Sequence, residues 1–401
     1  MQKARFRFMF KELEKRYFNE LTKKILPFWE NYAIDESGAI NNCISENGVV
    51  LSRDRYYWCE GRALWTFAAV YNYIEKDEKW LTIATNLFNY ICQNAFDKNG
   101  DCFYLTDADG KVKTGPLSIH SDAFVLYGVS EYYRATKSKK AKDLILQIYK
   151  NTAARLAKPG SIGTYPFNTP DGLRAHSVHM IFAHLYYWTG VYIGDDKIKQ
   201  HGLKLAKELF ILFYNGQKDA LMEFCVFDHE KAKQHREYLD IYNFGHGIEA
   251  MWFLMDISNN EKDFSMLDMI LRILRQNLER GWDQKYGGIF LQAKMHDLEI
   301  DYSECPDKKP SWSHNEAMIA VLYAYRLTGD EYWLKWHKKL DEFTFRVFPN
   351  KGLEWSNWLN RACTQPIQAQ DNLNVKCIFH TSRALIKQIL ILRDLDLLKN
   401  N

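Results

Sequence analysis

Apolar positions along this chain recur with the 3.6-residue spacing of helices, and the helices themselves recur in a longer cycle. Roughly every 60–70 residues a cluster of charged or histidine side chains leads into an apolar stripe. Taking one polar marker from each cluster gives Arg62, Asp122, His179, Glu249, Glu316 and Arg383. A cycle this regular predicts one supersecondary unit used six times. It also predicts that the polar starts of the units gather in one place.

The periodicity predicts twelve helices in six pairs. Inward-facing helices are expected over 60–75, 120–136, 176–190, 246–258, 314–327 and 379–394. Outward-facing helices are expected over 5–30, 78–95, 138–157, 195–215, 262–280 and 330–347. The outward set carries more Lys and Glu on one face, as in KKAKDLILQIYKNTAARLA from Lys139, which is the pattern of a helix with one wet side. Short polar turns such as EKDEK, ATKSKK and LTGDE join each inner helix to the next outer one and make them antiparallel neighbours. The longer return segments, FDKNGDCFYLTDADGKVKT from Phe96 and WDQKYGGIFLQAKMHDLEI from Trp282, read as small hairpins with Asn-Gly, Asp-Gly and Gly-Gly turns.

Strict alternation makes all six inner helices point the same way. Their N-termini, with free N–H groups and partial positive charge, then meet at one mouth. The expected fold is an all-α (α/α)6 toroidal barrel with small β-hairpins in the connections at one end. An open superhelix of the same pairs is the rival. No Pro/Gly-rich or low-complexity linker interrupts the chain, so residues 1–401 are expected to form a single catalytic domain.

Composition narrows the class. There are 53 basic and 50 acidic residues, a balance that argues against nucleic acid or a polybasic membrane surface as partner. No apolar run approaches the ~18 residues of a membrane span. The opening MQKARFRFMFKELEKRYF has no signal-peptide core. The eight cysteines are scattered without a C-x-x-C pair, and Cys92, Cys225 and Cys377 read as buried thiols. Together these suggest a reduced, cytoplasmic protein. The aromatics (12 Trp, 24 Tyr, 24 Phe) suit a large core and, at a pocket, sugar stacking.

The chemistry-bearing side chains sit at the starts of the inner helices. In FGHGIEAMWFL, His246 and Glu249 are three apart on one helix face, where the Glu can orient the imidazole or cap the helix. SWSHNEAMIAVLYAY offers Trp312 as a stacking platform, with His314 and Glu316. KCIFHTSRALI brings Lys376, His380 and Arg383, the last two again three apart. YYWCEGRALW places Arg62 as a cation at the mouth, for an oxyanion or a rim carboxylate. RAHSVHMIFAH carries His176, His179 and His184. Its H-x-x-H invites a metal, but no third ligand of suitable spacing follows. His179 is expected to line the pocket and His184 to be a satisfied core histidine. GHGIEA mimics a dinucleotide fingerprint without the βαβ alternation that gives one meaning.

Two histidines across a cation-rich pocket suit removal of a proton α to a carbonyl, with the enediolate stabilised by donors. Return of a proton on the other face epimerises the carbon. Transfer from C2 to C1 by one base isomerises an aldose to a ketose. A glycoside hydrolase would need two carboxylates about 5–10 Å apart, for which Asp122, Glu249 and Glu316 are available. A non-catalytic sugar-binding role needs neither histidine.

The segments YWCEGRALW, GHGIEAMWFL, HNEAMIA…TGD and KCIFHTSRAL, in this order from about Phe28 to Leu390, resemble the N-acylglucosamine 2-epimerase superfamily. That superfamily holds N-acetylglucosamine 2-epimerase, cellobiose 2-epimerase and mannose isomerase. The resemblance implies the six-pair barrel, metal-independent chemistry without a cofactor, a small-molecule sugar as partner and compatibility with a homodimer. It implies His246 and His380 as the catalytic pair. It implies Arg62, His179, Glu249, Trp312 and Glu316 as substrate-binding residues, and Lys376 and Arg383, at the start of the last inner helix, complete the expected substrate-binding set. Ser311 and Val375 stand where the family often has aromatics, which bears on how a sugar is stacked. HNEAMIA is closer to N-acetylglucosamine 2-epimerase and KCIFHTSR to cellobiose 2-epimerase. The expected substrate pair is N-acetylglucosamine and N-acetylmannosamine, with cellobiose epimerisation or mannose isomerisation as the alternatives.

Overall fold

The sixfold cycle is a closed ring of paired helices. The computed structural model describes residues 2–296, 299–349, 353–368 and 375–398. The inner helices are α2 (Tyr57–Tyr73), α4 (Ile119–Thr136), α6 (His176–Ile193), α8 (Phe244–Glu261), α10 (Ser311–Thr328) and α12 (His380–Leu398). The outer helices are α1 (Gln2–Glu20, prolonged through wider turns to Ala33), α3 (Glu78–Asn94), α5 (Lys139–Leu156), α7 (Asp196–Phe213), α9 (Leu267–Gly281) and α11 (Glu331–Val347). Each inner helix packs on the next, and α12 packs back on α2 and is backed by α1. This closure decides against an open superhelix.

The two helix classes differ in how much of their circumference is apolar. From Cys59 to Tyr71 every residue of α2 is buried, whereas α3 buries only one stripe including Trp80, Ala84, Leu87, Phe88 and Ile91. The turns between them follow from capping chemistry. α4, α6, α8 and α10 end on a left-handed residue, Lys137, Gly194, Lys262 or Gly329. Asp77, Ser138, Asp195 and Asp330 then accept backbone N–H groups at the starts of α3, α5, α7 and α11. The fourth pair departs from expectation. Helix α8 runs past the expected turn to Glu261, so α9 begins only at Leu267.

The hairpins lie where the Gly-containing turns predict, with Gly100 and Gly110 at positive φ. Their strands feed the inner helices directly. Arg55–Tyr56 enters α2, Leu173–Ala175 enters α6, Ile241–Asn243 enters α8 and Lys308–Pro310 enters α10. Strand pairing therefore fixes the N-termini of four inner helices at the mouth. In the segment from Trp282, Gln292–His296 pairs with Glu299–Asp301, and the connecting Asp297 and Leu298 lie outside the described residues.

One cysteine expectation is corrected. Cys377 is not a free thiol: it is joined to Cys59 across 318 residues of sequence, with Cα atoms 5.5 Å apart. Only the ring closure of α2 against the segment entering α12 brings these two together, so spacing gave no sign of it. Cys92 and Cys225 are free and half-buried. Among the described residues no helix is long and apolar enough to cross a membrane.

Helices α2 and α4 meet at Gly61 and Gly128. A Cβ on Gly61 would overlap the Phe124 carbonyl, and one on Gly128 would overlap the Gly61 carbonyl. This approach lays Arg62 against Phe124. Gly61→Ala and Gly128→Ala are each expected to lower stability by about 1–3 kcal/mol through overpacking, read by urea unfolding. Gly115→Ala, whose added Cβ meets nothing, is expected to stay within about 0.5 kcal/mol.

Candidate active site

The mouth of the barrel is built from the first turns of the inner helices. Asn243 caps α8 by accepting the His246 backbone N–H at 3.0 Å, which sets His246 in the first turn. Its Nδ1 lies 2.9 Å from Glu223 Oε2. Glu223 is pinned from both sides: its carbonyl accepts from His176 N at 2.8 Å and its N–H donates to Ile241 O at 3.0 Å. His380 opens α12, with Nδ1 2.8 Å from Glu316 Oε1. A carboxylate only accepts, so each imidazole carries its proton on Nδ1 and turns Nε2 to the cavity when neutral. The side chains of His246 and His380 keep 24% and 18% of their exposure, so solvent reaches both.

Trp312 lies near both imidazoles, its ring centroid 5.3 Å from that of His246 and 5.8 Å from that of His380. Gly245 makes room for this ring, since a Cβ there would strike the indole. Below it, Arg383 bonds Glu316 at 2.8 Å and also bonds Glu249. Arg62 faces the same space, with Cζ 3.8 Å from the Phe124 ring, 4.9 Å from Trp58 and 5.1 Å from Phe379. Among the described residues it forms no salt bridge, and its buried Nε has no partner. Burial, then repulsion from Arg383, push its pKa down to about 9 against the pull of Glu249 and Glu316. A buried cation without a counter-ion is costly in a resting protein and useful to a developing oxyanion.

The two imidazoles differ in proton affinity. Burial disfavours the charged form of His246, but the charge and hydrogen bond of Glu223, with Glu249 behind, outweigh it and raise the pKa. His380 is lowered well below the ordinary value by burial, then by the cations Arg62 and Arg383. Proton affinity is thus higher at His246 than at His380.

The structure thus gathers Arg62, His246, Glu249, Trp312, Glu316, His380 and Arg383. Four expectations are corrected. Glu249 pairs with Arg383, and the carboxylate that orients His246 is Glu223. His179 is turned outward, 4.0 Å from Glu208 of α7 and edge-on to Phe213. The residue of that helix start nearest the site is His176, edge-to-face with His246 at 6.5 Å between centroids and with Nε2 unpartnered. Lys376 is buried against the Trp355 carbonyl and 3.8 Å from Glu46, away from this cluster. Asp122 likewise turns out to Arg155. His120 instead lies within reach of the charges of Arg62 and His246, and burial followed by those two groups holds it down to about 4. His184 is a satisfied core residue, 3.0 Å from Asp256. Glu249, Glu316 and His380 place ligand atoms within 4.8 Å of one another, a spacing a metal ion could use. Arg383 already bonds both carboxylates, and a cation there would have to displace it.

The six-pair toroid thus gathers two histidines, a tryptophan and two arginines at one mouth. The sequence profile of the N-acylglucosamine 2-epimerase (GlcNAc 2-epimerase) family matches residues 38–380, and the chain belongs to that family. It is 27% identical to the cellobiose 2-epimerase of Dictyoglomus turgidum, over 94% of this chain and 98% of that protein. It is 26% identical to the N-acylglucosamine 2-epimerase of Mus musculus, over 94% of this chain and 91% of that protein. The solved structure of the cellobiose 2-epimerase from Bacillus thermoamylovorans superposes with a TM-score of 0.79 at 22% identity, covering 95% of this chain and 99% of that one.

Removing the Glu223 charge removes what raises His246. Glu223→Gln is expected to move the His246 titration to lower pH, followed by NMR of the imidazole. An unmoved titration would show that Glu223 does not set this group.

Proposed function

We propose that this protein is a sugar 2-epimerase that inverts C2 of a reducing aldose, with N-acetylglucosamine and N-acetylmannosamine as its substrate pair. The observation that carries the proposal is the placing of two imidazoles of opposite proton affinity against one indole ring. The ring-opened aldehyde stacks on Trp312. Neutral His380 removes the C2 proton through Nε2, and the electrons of that bond pass into the C1 carbonyl. This gives an enolate, or an enediolate where C2 carries a hydroxyl, whose O1 charge is met by Arg62. The His246 imidazolium then returns a proton to the opposite face of C2. The Mus musculus relative and the HNEAMIA segment support the N-acetyl sugars. A second reading, cellobiose as substrate, draws on the Dictyoglomus relative and the KCIFHTSR segment.

The donor comes from His246 and exchanges with solvent, so the reaction in D₂O is expected to leave one deuterium at C2 of the product epimer. ¹H NMR against a panel of N-acetylhexosamines, hexoses and cellobiose reads both substrate and chemistry. A ketose product would identify an isomerase, and no deuterium in any sugar of the panel would overturn the proposal. His246→Ala and His380→Ala are each expected to lower kcat by about 10²–10⁴-fold, with circular dichroism unchanged.

The rate should also trace a bell against pH. It falls on the acid side only well below the ordinary imidazole value, as the lowered His380 gains a proton. On the alkaline side it falls above the ordinary value, as the raised His246 loses one. A profile governed by a single ordinary imidazole would contradict the two-base assignment.

A further inference from the structure

Glu316 is wholly buried and both of its oxygens are engaged. Oε1 accepts from His380 Nδ1 at 2.8 Å and from Arg383 at 2.8 Å. Oε2 accepts from the indole Nε1 of Trp252 at 2.8 Å, among the described residues its one donor. Trp252 is itself fully buried on α8, the helix that carries His246. The Arg383 guanidinium lies 5.2 Å from its ring centroid and the Lys387 ammonium 5.6 Å. Its other ring neighbours are His184 and Phe253. The indole thus holds the Glu316–Arg383 pair twice, by its N–H and by its face.

A Glu carboxylate turns easily about its last torsion, whose profile is broad and two-fold. Here one oxygen serves two donors of unequal strength, and the charged guanidinium is the stronger. What keeps Oε1 toward His380, rather than both oxygens drawn to Arg383, is the fixed donor on Oε2. We propose that Trp252 is a positioning residue of the reaction. By clamping Glu316 it holds His380 in the Nδ1–H tautomer, with the Nε2 lone pair open to the substrate. The proposal rests on the epimerase reading of the site. It also makes α8 responsible for both proton carriers, one directly through His246 and the other through Trp252, Glu316 and His380.

The alternative is that Trp252 is only a large packed ring. Trp252→Phe keeps most of the ring and removes the N–H. A packing role lowers the melting temperature and leaves His380 alone. The positioning role predicts kcat lower by about 10–100-fold, the range seen for partners that orient metal-bound histidines, with KM within about twofold. It also predicts a change in the ¹⁵N spectrum of His380, assigned from the difference spectrum of His380→Gln. The wild-type protein should show Nδ1 protonated and Nε2 bare near neutral pH, and Trp252→Phe should show averaged shifts of a tautomer mixture. Wild-type-like shifts and kcat in the variant, or a wild-type His380 protonated on Nε2, would overturn the proposal. If Trp252→Phe does not fold, benzothienylalanine at 252 replaces the N–H by sulfur at nearly constant shape, and the same two readouts apply. The ¹⁵N comparison needs no turnover. A protein that epimerises no sugar would sink the epimerase reading while this test still reports on the clamp. An active protein whose tautomer ignores position 252 would sink the clamp alone.

Discussion

The site hangs on the Arg383 guanidinium. It bonds Glu249 of α8 and Glu316 of α10 while itself belonging to α12, so one cation ties together the three helices that carry His246, Trp312 and His380. Arg383 is almost wholly buried and its two carboxylates nearly so. Such a cluster is strongly favourable only when intact, because loss of one partner strands buried charge on the others. The same charges set the working groups. Arg383 depresses His380, while Glu249 both opposes that and helps raise His246. Structure and proton affinity therefore have one origin, and no member of the cluster can be changed for one without the other.

The ring supplies what the cluster alone cannot. Because each pair returns the chain to the same end of the barrel, six helix starts converge there, and short strands hold four of them in place. Arg62 comes from the first inner helix and His380 from the last, so they become neighbours only because the ring closes. Both lie against Phe379. The Cys59–Cys377 bond sits at the same seam. Closure is thus a condition for the site as well as for the core.

The fold was legible because its signals are local. Apolar periodicity, short polar turns and Gly-containing turns each act within a few residues, and all pointed to the same six pairs. Most of the site was legible too, since a polar residue at the start of an otherwise buried helix has few places to point. The misses are errors of rotation and of distance. His176 and His179 differ by about 60° around the helix axis, and His120 and Asp122 by about 160°. Both members of each pair are polar, so the pattern does not say which one faces the axis. Glu223 comes from a connecting segment with no period at all, and its role depends on backbone bonds to His176 and Ile241. Lys376 stands just outside its helix, where helical phase carries no information, and the pairing of Cys377 depends on ring closure alone.

The unequal basicity of the two imidazoles has a kinetic meaning. Under the proposed chemistry, release of the epimer leaves His380 carrying a proton and His246 without one, the inverse of the resting state. The protein is then a poor catalyst for the sugar it has just used and a good one for the reverse conversion. Restoring the original form requires hydrons to leave one ring and reach the other through water at the mouth, where both rings are partly open. Such an enzyme has a memory of its last turnover, and how quickly it forgets is set by the wetness of its entrance rather than by the carbon chemistry.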